Sequence, residues 1–244
     1  MSAWPALPPL DAIGLRCERG ERALFEGLEL CLAAGDLVWL RGANGRGKTT
    51  LLRTLAGLGA PAAGELRLGG APLRAADAGW RRQLLYLGHA NALKEDLSAA
   101  ESLHFAARLA GTPHDEAAVL GALARLGVAG RARRAVRTMS QGQRRRVALA
   151  RIALAPRPSL CLLDEPFDAL DDDGIERLAS LLVEVAAAGG CVLFTSHQPV
   201  PRLQAAALRE VWLPQAPPRP PGRAGEAGGA AREAAREATR EAAP

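Results

Sequence analysis

The 244-residue chain lacks any apolar run that approaches the roughly 20 residues needed to cross a bilayer. Its first ten residues contain no charged segment followed by a long apolar one, so we expect no signal peptide. Aromatic residues make up 4% of the chain, and no two cysteines have CxxC spacing. We therefore expect the cysteines to be reduced residues of an apolar core in a cytosolic protein. They are Cys17, Cys31, Cys161 and Cys191.

The chain also lacks the sequence patterns of nucleic-acid-binding domains, although its formal net charge is +5. It contains no RNP, helix-turn-helix or zinc-finger pattern. The composition is rich in arginine, and we attribute the positive charge to arginines spread over solvated helix faces. We therefore predict no nucleic-acid partner. An anionic membrane surface or an acidic loop of a partner protein would use the same charge.

A short apolar segment, Leu37–Arg41, runs directly into the pattern G-x-x-x-x-G-K-T at 42–49, and a helical pattern follows as far as Leu58. A strand, a glycine-rich loop and a helix in this order form a P-loop, which binds the phosphates of a nucleoside triphosphate. The glycines permit backbone conformations that a Cβ would block, so several N–H groups can point at one polyphosphate beside a helix N-terminus. The predicted phosphate-binding residues are Gly42, Ala43, Asn44, Gly45, Arg46, Gly47, Lys48, Thr49 and Thr50.

Two residues of this loop have further predicted roles. Lys48 can reach the β- and γ-phosphates, and the hydroxyl of Thr49 can hold Mg²⁺. A glycine-rich turn that binds nothing is the simpler alternative. The complete pattern between a strand and a helix favours nucleotide binding, so we predict a nucleoside triphosphate and Mg²⁺ as cofactors.

The strands outside the P-loop are predicted from short apolar runs bounded by turn residues. Segments 7–17 and 23–32 predict two strands joined by a polar turn. A hairpin is predicted around Gly69-Gly70, and a further strand over 82–89. Predicted strands therefore both precede and follow the P-loop in the sequence.

From about residue 90 to 155 the pattern is mostly helical. A capping box predicts that one helix opens at Ser98. A second helix is predicted to start at Thr112-Pro113, and a third, rich in arginine, at Ser140. We therefore predict a helical insert between strands of a nucleotide-binding sheet.

The apolar strand pattern over 159–165 ends in Asp164 and Glu165. This is the arrangement of a Walker B strand, in which Asp164 holds Mg²⁺ and Glu165 polarises the attacking water as general base. Such a pair at a strand end can equally be a solvated loop. A P-loop with this strand still leaves GTPases, kinases, helicases and transport ATPases open.

Residues 139–151, which begin with Met139–Gln143, resemble the signature motif of ATP-binding cassette (ABC) ATPases. A serine hydroxyl, a glycine backbone and a helix N-terminus there form a second γ-phosphate site, which is donated to the nucleotide of another subunit. His197 lies where this family has its switch histidine, which can hydrogen-bond the γ-phosphate and the attacking water. Residues 167–171 resemble the D-loop, which crosses the dimer interface.

The resemblance implies an α/β fold of the P-loop NTPase class, with a RecA-like core, an antiparallel β subdomain and a helical subdomain over about 90–155. It implies one ABC ATPase domain over 1–213. The nucleotide is then ATP, and two copies form a homodimer with two ATP molecules at the interface. The resemblance assigns Lys48, Glu165 and His197 to catalysis, Thr49 and Asp164 to Mg²⁺, and Ser140, Gly142 and Gln143 to the nucleotide of the other subunit.

The chain departs from the ABC pattern at three positions. The family normally has glutamine where this chain has His89, which we place at the nucleotide site. An aromatic residue that stacks on adenine is expected at about Arg19, whose guanidinium plane could stack instead. Gln141 occupies a signature position where glycine is commoner.

Three short segments narrow the resemblance. Residues 86–89, 164–167 and 195–199 are similar to the ATP-binding subunit of the cytochrome c maturation system, the haem exporter ATP-binding family. This implies a peripheral protein on the cytoplasmic face of a bacterial inner membrane, with integral membrane permease subunits as partners. ATP hydrolysis would be linked to release of a haem-loaded periplasmic haem chaperone. The four histidines are not arranged as a haem site, so we predict no direct haem binding.

Three alternatives remain at this stage. The first is the ATPase subunit of another ABC transporter, such as a metal or lipid system, which His89 argues against. The second is a soluble ABC ATPase that acts on nucleic acid or ribosomes, although such proteins usually have tandem cassettes or a coiled-coil insertion. The third is an ATP-sensing module that does not hydrolyse ATP, which Glu165 and His197 argue against.

The C-terminal segment 214–244 differs from the rest in composition. It begins Pro-rich and continues with a repeat of Ala, Arg and Glu that has no apolar stripe. We expect it to be a disordered tail without a chemical role.

Overall fold

A computed structural model of the chain describes residues 6–20, 22–73, 78–156 and 158–214, with the backbone alone given at 78 and 79. The predicted tail lies outside the described residues from residue 215 onward. Among the described residues, no helix is both long and apolar enough to cross a bilayer.

An antiparallel sheet forms the first layer, with strand order β2-β1-β4-β5. The two predicted N-terminal strands pair with each other, and the predicted hairpin turns at Gly69-Gly70. The strands of this sheet are β1 (Leu10–Arg19), β2 (Arg22–Leu32), β4 (Ala63–Leu68) and β5 (Ala71–Pro72).

A parallel sheet forms the second layer, with strand order β6-β7-β8-β3-β9. The strand that precedes the P-loop, β3, is separated from the Walker B strand, β7, by β8. The strands of this sheet are β3 (Leu37–Arg41), β6 (Leu84–Leu87), β7 (Leu160–Leu163), β8 (Cys191–Thr195) and β9 (Leu208–Trp212).

Four helices and two 3₁₀ turns (Ala129–Arg131 and Val136–Thr138) lie between β6 and β7, in agreement with the predicted helical insert. The remaining helices follow the P-loop or connect strands. The helices are α1 (Lys48–Leu55), α2 (Ala78–Arg81), α3 (Ala99–Leu109), α4 (Glu116–Arg125), α5 (Gln141–Leu149), α6 (Arg151–Leu154), α7 (Asp172–Ala187) and α8 (Pro201–Gln204).

The helix starts in this insert are set by side-chain caps. Capping boxes at Ser98 and Ser140 open α3 and α5, as predicted. The start predicted at Thr112 is wrong, because the carboxylate of Asp115 accepts a hydrogen bond from the backbone N–H of Ala118 and so caps α4 three residues later.

Both faces of the parallel sheet are buried, because alternate residues of each strand point to opposite sides. On one face, residues such as Leu40 and Leu162 pack with α1 and the antiparallel sheet. On the other face, Leu163 and Phe194 pack with α7 and the helical insert. Three cysteines are buried, but the expectation of a core position is wrong for Cys31, which is exposed on β2.

Two strands of the antiparallel sheet approach closely where Gly64 of β4 crosses an irregularity in β1. A Cβ on Gly64 would lie 2.4 Å from the carbonyl oxygen of Gly14, and the φ of Gly64 is +82°. We expect Gly64→Ala to lower the free energy of unfolding by about 2 kcal/mol or more, because the backbone must move and the residue is strained. Urea unfolding measures this.

Gly59→Ala is the matched control for Gly64→Ala. A Cβ at Gly59 would meet no heavy atom within 4 Å, so this variant should stay within about 0.5 kcal/mol of the wild type. Equal midpoints for the two variants would contradict the close approach.

Candidate functional site

The predicted site residues follow three neighbouring parallel strands. In β3, β8 and β7 the chain runs in the same direction, with Leu40 beside Thr195 and Leu163 beside Phe194. The carboxyl ends of the three strands therefore meet at one edge of the sheet, where α/β proteins bind ligands. The loops after these strands carry the P-loop, the Asp164-Glu165 pair and His197.

The P-loop curls between the end of β3 and the start of α1. Gly45 and Gly47 have φ values of +75° and +102°, which favour glycine. A Cβ on Gly47 would lie 2.9 Å from Cβ of Leu24, so the loop packs tightly against β2. The Lys48 ammonium donates to the carbonyl oxygen of Gly42 at 2.8 Å, which keeps the lysine folded back over the loop.

The P-loop borders a cleft of about 320 Å³, which we call the P-loop cleft. It brings together most of the residues predicted for phosphate, metal and catalysis, and it includes both His89 and Arg19. Its lining residues are Arg19, Leu24, Asn44, Gly45, Gly47, Lys48, Thr49, Thr50, His89, Asp164, Glu165 and His197.

A hydrogen-bond network joins the P-loop to the Walker B strand. The Thr49 hydroxyl donates to one carboxylate oxygen of Asp164 at 2.7 Å, and the Thr195 hydroxyl donates to the other at 3.0 Å. The backbone N–H of Glu165 donates to the same Thr195 hydroxyl at 2.7 Å. Both oxygens of the almost fully buried Asp164 are therefore held, one from the start of α1 and the other from the end of β8.

The donor set at Thr49 and Asp164 suits Mg²⁺. A hydroxyl and a carboxylate are hard oxygen ligands, and Mg²⁺ is commonly bound by one or two protein groups with waters and substrate phosphates. The described residues contain no larger cluster of His, Cys, Asp or Glu that could hold a metal ion alone. A site that relies on the nucleotide for its other ligands agrees with this finding.

Glu165 lies next to this network, with its side chain almost fully buried. Its Oε1 is 3.4 Å from Nε2 of His197, and its Oε2 is buried without a hydrogen-bond partner among the described residues. Burial raises the pKa of the Glu165 carboxyl, and the neighbouring His197 opposes that rise. A carboxyl group with a raised pKa and an unused oxygen, on a residue that lines the cleft, is suited to accept a proton.

Two of the three departures from the family pattern, at His89 and Arg19, line this cleft. The His89 side chain is 74% exposed, with its Nδ1 3.9 Å from a carboxylate oxygen of Asp168. Arg19, at the end of β1, lines the same cleft and could present its guanidinium to a base.

The predicted signature residues are not part of the P-loop cleft. Ser140, Gly142 and Gln143 line a second cleft of about 450 Å³, the signature cleft, which shares no lining residue with the first. Gly142 lies against the D-loop, where a Cβ would come within 2.7 Å of the carbonyl oxygen of Ala169. In a single chain, the P-loop residues and the signature residues therefore line two separate clefts.

Sequence reasoning missed three residues that organise the site. The sequence indicates Thr195 only as part of the family-like segment 195–199, Arg145 only as part of the arginine-rich helix that opens at Ser140, and Trp39 only as part of the apolar segment before the P-loop. The Trp39 indole N–H donates to the carbonyl oxygen of Ser196 at 3.2 Å and so ties β3 to the segment before His197. A threonine at the carboxyl end of a buried strand between two motif-bearing strands was the available signal for Thr195.

The sequence pattern of the ABC transporter family matches residues 25–168. The "Cytochrome c biogenesis ATP-binding export protein CcmA" of Aromatoleum aromaticum is 48% identical over 194 residues, which cover 80% of this chain and 91% of that protein. The protein of the same name from Escherichia coli K12 is 44% identical, covering 84% of this chain and 97% of its own length.

Solved structures show the same fold. A dimeric ATP-binding cassette in a post-hydrolysis state, bound to ADP and Pi, superposes with a TM-score of 0.72. It is 23% identical, and the match covers 84% of this chain and 94% of that one. The α/β architecture of a P-loop ABC ATPase, with its parallel and antiparallel sheets, is therefore confirmed.

The Thr195 hydroxyl predicts a specific effect on stability. Thr195→Val should lower the free energy of unfolding by about 1–3 kcal/mol, because it leaves the N–H of Glu165 and one oxygen of Asp164 buried without a partner. Thr195→Ser retains the hydroxyl and serves as the control. Equal denaturation midpoints for the two variants would contradict the role of this hydroxyl.

Proposed function

The chain belongs to the ATP-binding subunits of ABC transporters, within the family of cytochrome c biogenesis ATP-binding export proteins, and we propose that it powers a cytochrome c maturation complex. ATP hydrolysis there drives the release of a haem-loaded periplasmic haem chaperone. The protein is then a peripheral subunit on the cytoplasmic face of a bacterial inner membrane, where it binds integral membrane permease subunits. We propose no nucleic-acid partner and no direct contact with haem.

One observation carries the proposal of hydrolysis. Glu165 lines the P-loop cleft together with the hydrogen-bonded pair of Thr49 and Asp164, and its Oε2 is buried without a hydrogen-bond partner among the described residues. An ATP-sensing module that does not hydrolyse ATP has no need of this arrangement. The identity to the export proteins supports the choice of pathway.

The phosphate-binding, metal-binding and basic groups of the P-loop cleft have separate roles in the proposed reaction. The P-loop N–H groups and Lys48 hold the β- and γ-phosphates of ATP. Thr49 and Asp164 hold Mg²⁺, which when bound neutralises charge on the phosphates. Glu165 accepts a proton from the attacking water, and the raised pKa of its carboxyl makes it a stronger base.

His197 and the signature cleft complete the proposed site. His197 is held 3.4 Å from Oε1 of Glu165, where it can donate to the γ-phosphate. In one chain the signature cleft, lined by Ser140, Gly142 and Gln143, is separate from the P-loop cleft. We therefore place the same three residues of a second copy against the ATP that the P-loop holds. ATP binding then closes the homodimer, and hydrolysis with release of ADP and phosphate opens it.

Glu165→Gln should lower kcat for ATP hydrolysis by about a hundredfold while ATP binding is retained, because the amide cannot accept the proton. The variant should form an ATP-dependent dimer, which size-exclusion chromatography detects. Glu184→Gln, at an exposed position of α7, is the matched control with wild-type turnover. Unchanged hydrolysis by Glu165→Gln would contradict the assignment of the base.

A cellular experiment tests the pathway. In a bacterium whose only copy of this subunit carries Glu165→Gln, we expect c-type cytochromes to disappear while the haem-loaded periplasmic chaperone accumulates. Haem staining of membrane proteins measures both, and a strain with Glu184→Gln is the control. Normal c-type cytochromes in cells with no ATPase activity would assign the protein to another ABC transporter.

A further inference from the structure

Three consecutive arginines on α5 point to three different parts of the molecule. Arg144 bonds the carbonyl oxygens of Met139 and Arg137 in the helical insert. Arg146 pairs with acidic residues near the start of α7. Arg145 turns inward, is 3% exposed, and bonds to the loops whose residues line the P-loop cleft.

The Arg145 guanidinium bridges two loops of that cleft. Its Nη2 donates to the carbonyl oxygens of Asp164 and Glu165, at 3.0 and 2.7 Å. Its Nη1 donates to the carbonyl oxygen of Gly88 and to Oδ1 of Asn91, both at 3.2 Å, and lies 3.4 Å from the carbonyl oxygen of His89. The Walker B loop and the loop that carries His89 are therefore held by one side chain.

The backbone at Glu165 needs such support. Its φ of +48° lies in the left-handed region, which for a non-glycine residue costs on the order of 1 kcal/mol. The carbonyl groups of Asp164 and Glu165 are buried at this bend, and both are bonded to Arg145. Lysine could not replace these contacts, because only arginine presents a planar fork of donors to several acceptors at once.

Arg145 also connects the P-loop cleft to the signature cleft. It lies on α5, whose N-terminal residues Ser140, Gly142 and Gln143 line the signature cleft. A helix moves as a rigid element, so a displacement of its N-terminus is carried to Arg145 and from there to Glu165.

We propose that Arg145 is a positioning residue for hydrolysis, which sets the backbone of Glu165 and the His89 loop of its own chain relative to the signature helix. This inference rests on the proposed function, since it presumes that Glu165 is the base and that two copies share each ATP. It adds a route from the signature cleft of a chain to the base of the same chain.

The first test uses purified full-length chain with Arg145→Gln and Arg145→Lys. We expect kcat to fall by about tenfold or more in both, because a small displacement of a base lowers the rate steeply. The dissociation constant for ATP should change by less than about twofold, since Arg145 makes no contact with the P-loop. Arg125→Gln, at an exposed arginine of α4 that lines neither cleft, is the control. A kcat within about twofold of wild type in the Arg145→Lys variant would overturn the proposal.

A mixed dimer separates positioning from a general packing role. Two differently tagged copies are purified as a pair in which one copy carries Glu165→Gln, so that the other copy hydrolyses ATP. Arg145→Gln in the hydrolysing copy should cause the full loss, and the same substitution in the Glu165→Gln copy a clearly smaller one. Equal losses in the two arrangements would overturn the proposal, because a packing role does not depend on which base is intact.

The outcomes also separate this inference from the proposed function. Wild-type chain that hydrolyses no ATP, or Glu165→Gln chain that hydrolyses it normally, contradicts both. Loss of hydrolysis in Glu165→Gln together with normal turnover in the Arg145 variants contradicts the positioning role alone.

Discussion

The left-handed backbone at Glu165 is the constraint on which the rest of the site depends. This bend turns the Glu165 side chain toward His197 while its carbonyl group points back into the protein. Thr195 accepts a hydrogen bond from the N–H of the same residue, and Arg145 donates to its carbonyl group. A strained conformation persists when its surroundings fix it from several sides, as they do here.

Strand order explains why Thr195 can hold this bend. Because β8 lies between β7 and β3, the last residue of β8 is adjacent both to the Walker B carboxylate and to the P-loop. The Thr195 hydroxyl therefore acts as donor to Asp164 and acceptor from Glu165. Asp164 and Glu165 are consecutive in sequence but differ in their contacts: Asp164 accepts a hydrogen bond from Thr49, whereas Oε2 of Glu165 has no hydrogen-bond partner in the part of the chain that the structure describes.

The elements of the fold could be predicted from sequence where a local signal sets them. The P-loop, the capping boxes at Ser98 and Ser140, and the hairpin at Gly69-Gly70 depend on neighbouring residues, and the structure has each of them. The start of α4 was predicted three residues early, because a proline and an aspartate both indicate a helix start and the carboxylate of Asp115 caps the helix.

The missed site residues depend on contacts that no local pattern records. Arg145 lies between two other arginines in the sequence, and its direction is evident only from its hydrogen bonds to the loops that follow β6 and β7. Trp39 reads as one more apolar residue of a buried strand, but its indole N–H reaches Ser196 across the sheet. Periodicity indicates that such side chains are buried and gives no information about which distant group they meet.

The separation of the two clefts bears on how the D-loop acts. The turn that starts at Glu165 continues through Asp168, which lies near His89, to Ala169, whose carbonyl oxygen lies against Gly142 of the signature motif. This short segment is a covalent route between the clefts, and α5 is a second route through the hydrogen bonds of Arg145. In the proposed dimer each cleft faces a different ATP, so these two routes are where occupancy of one site can alter the other.

The substitution of histidine for glutamine at position 89 can be interpreted from the same contacts. The loop is anchored through the carbonyl groups of Gly88 and His89 and through the Asn91 side chain, and none of these anchors involves the imidazole. The His89 side chain is mostly exposed at the mouth of the cleft, with its Nδ1 3.9 Å from a carboxylate oxygen of Asp168. The hydrogen bonds that hold the loop therefore do not depend on the side chain at position 89, and the substitution changes only the group presented at the mouth of the cleft.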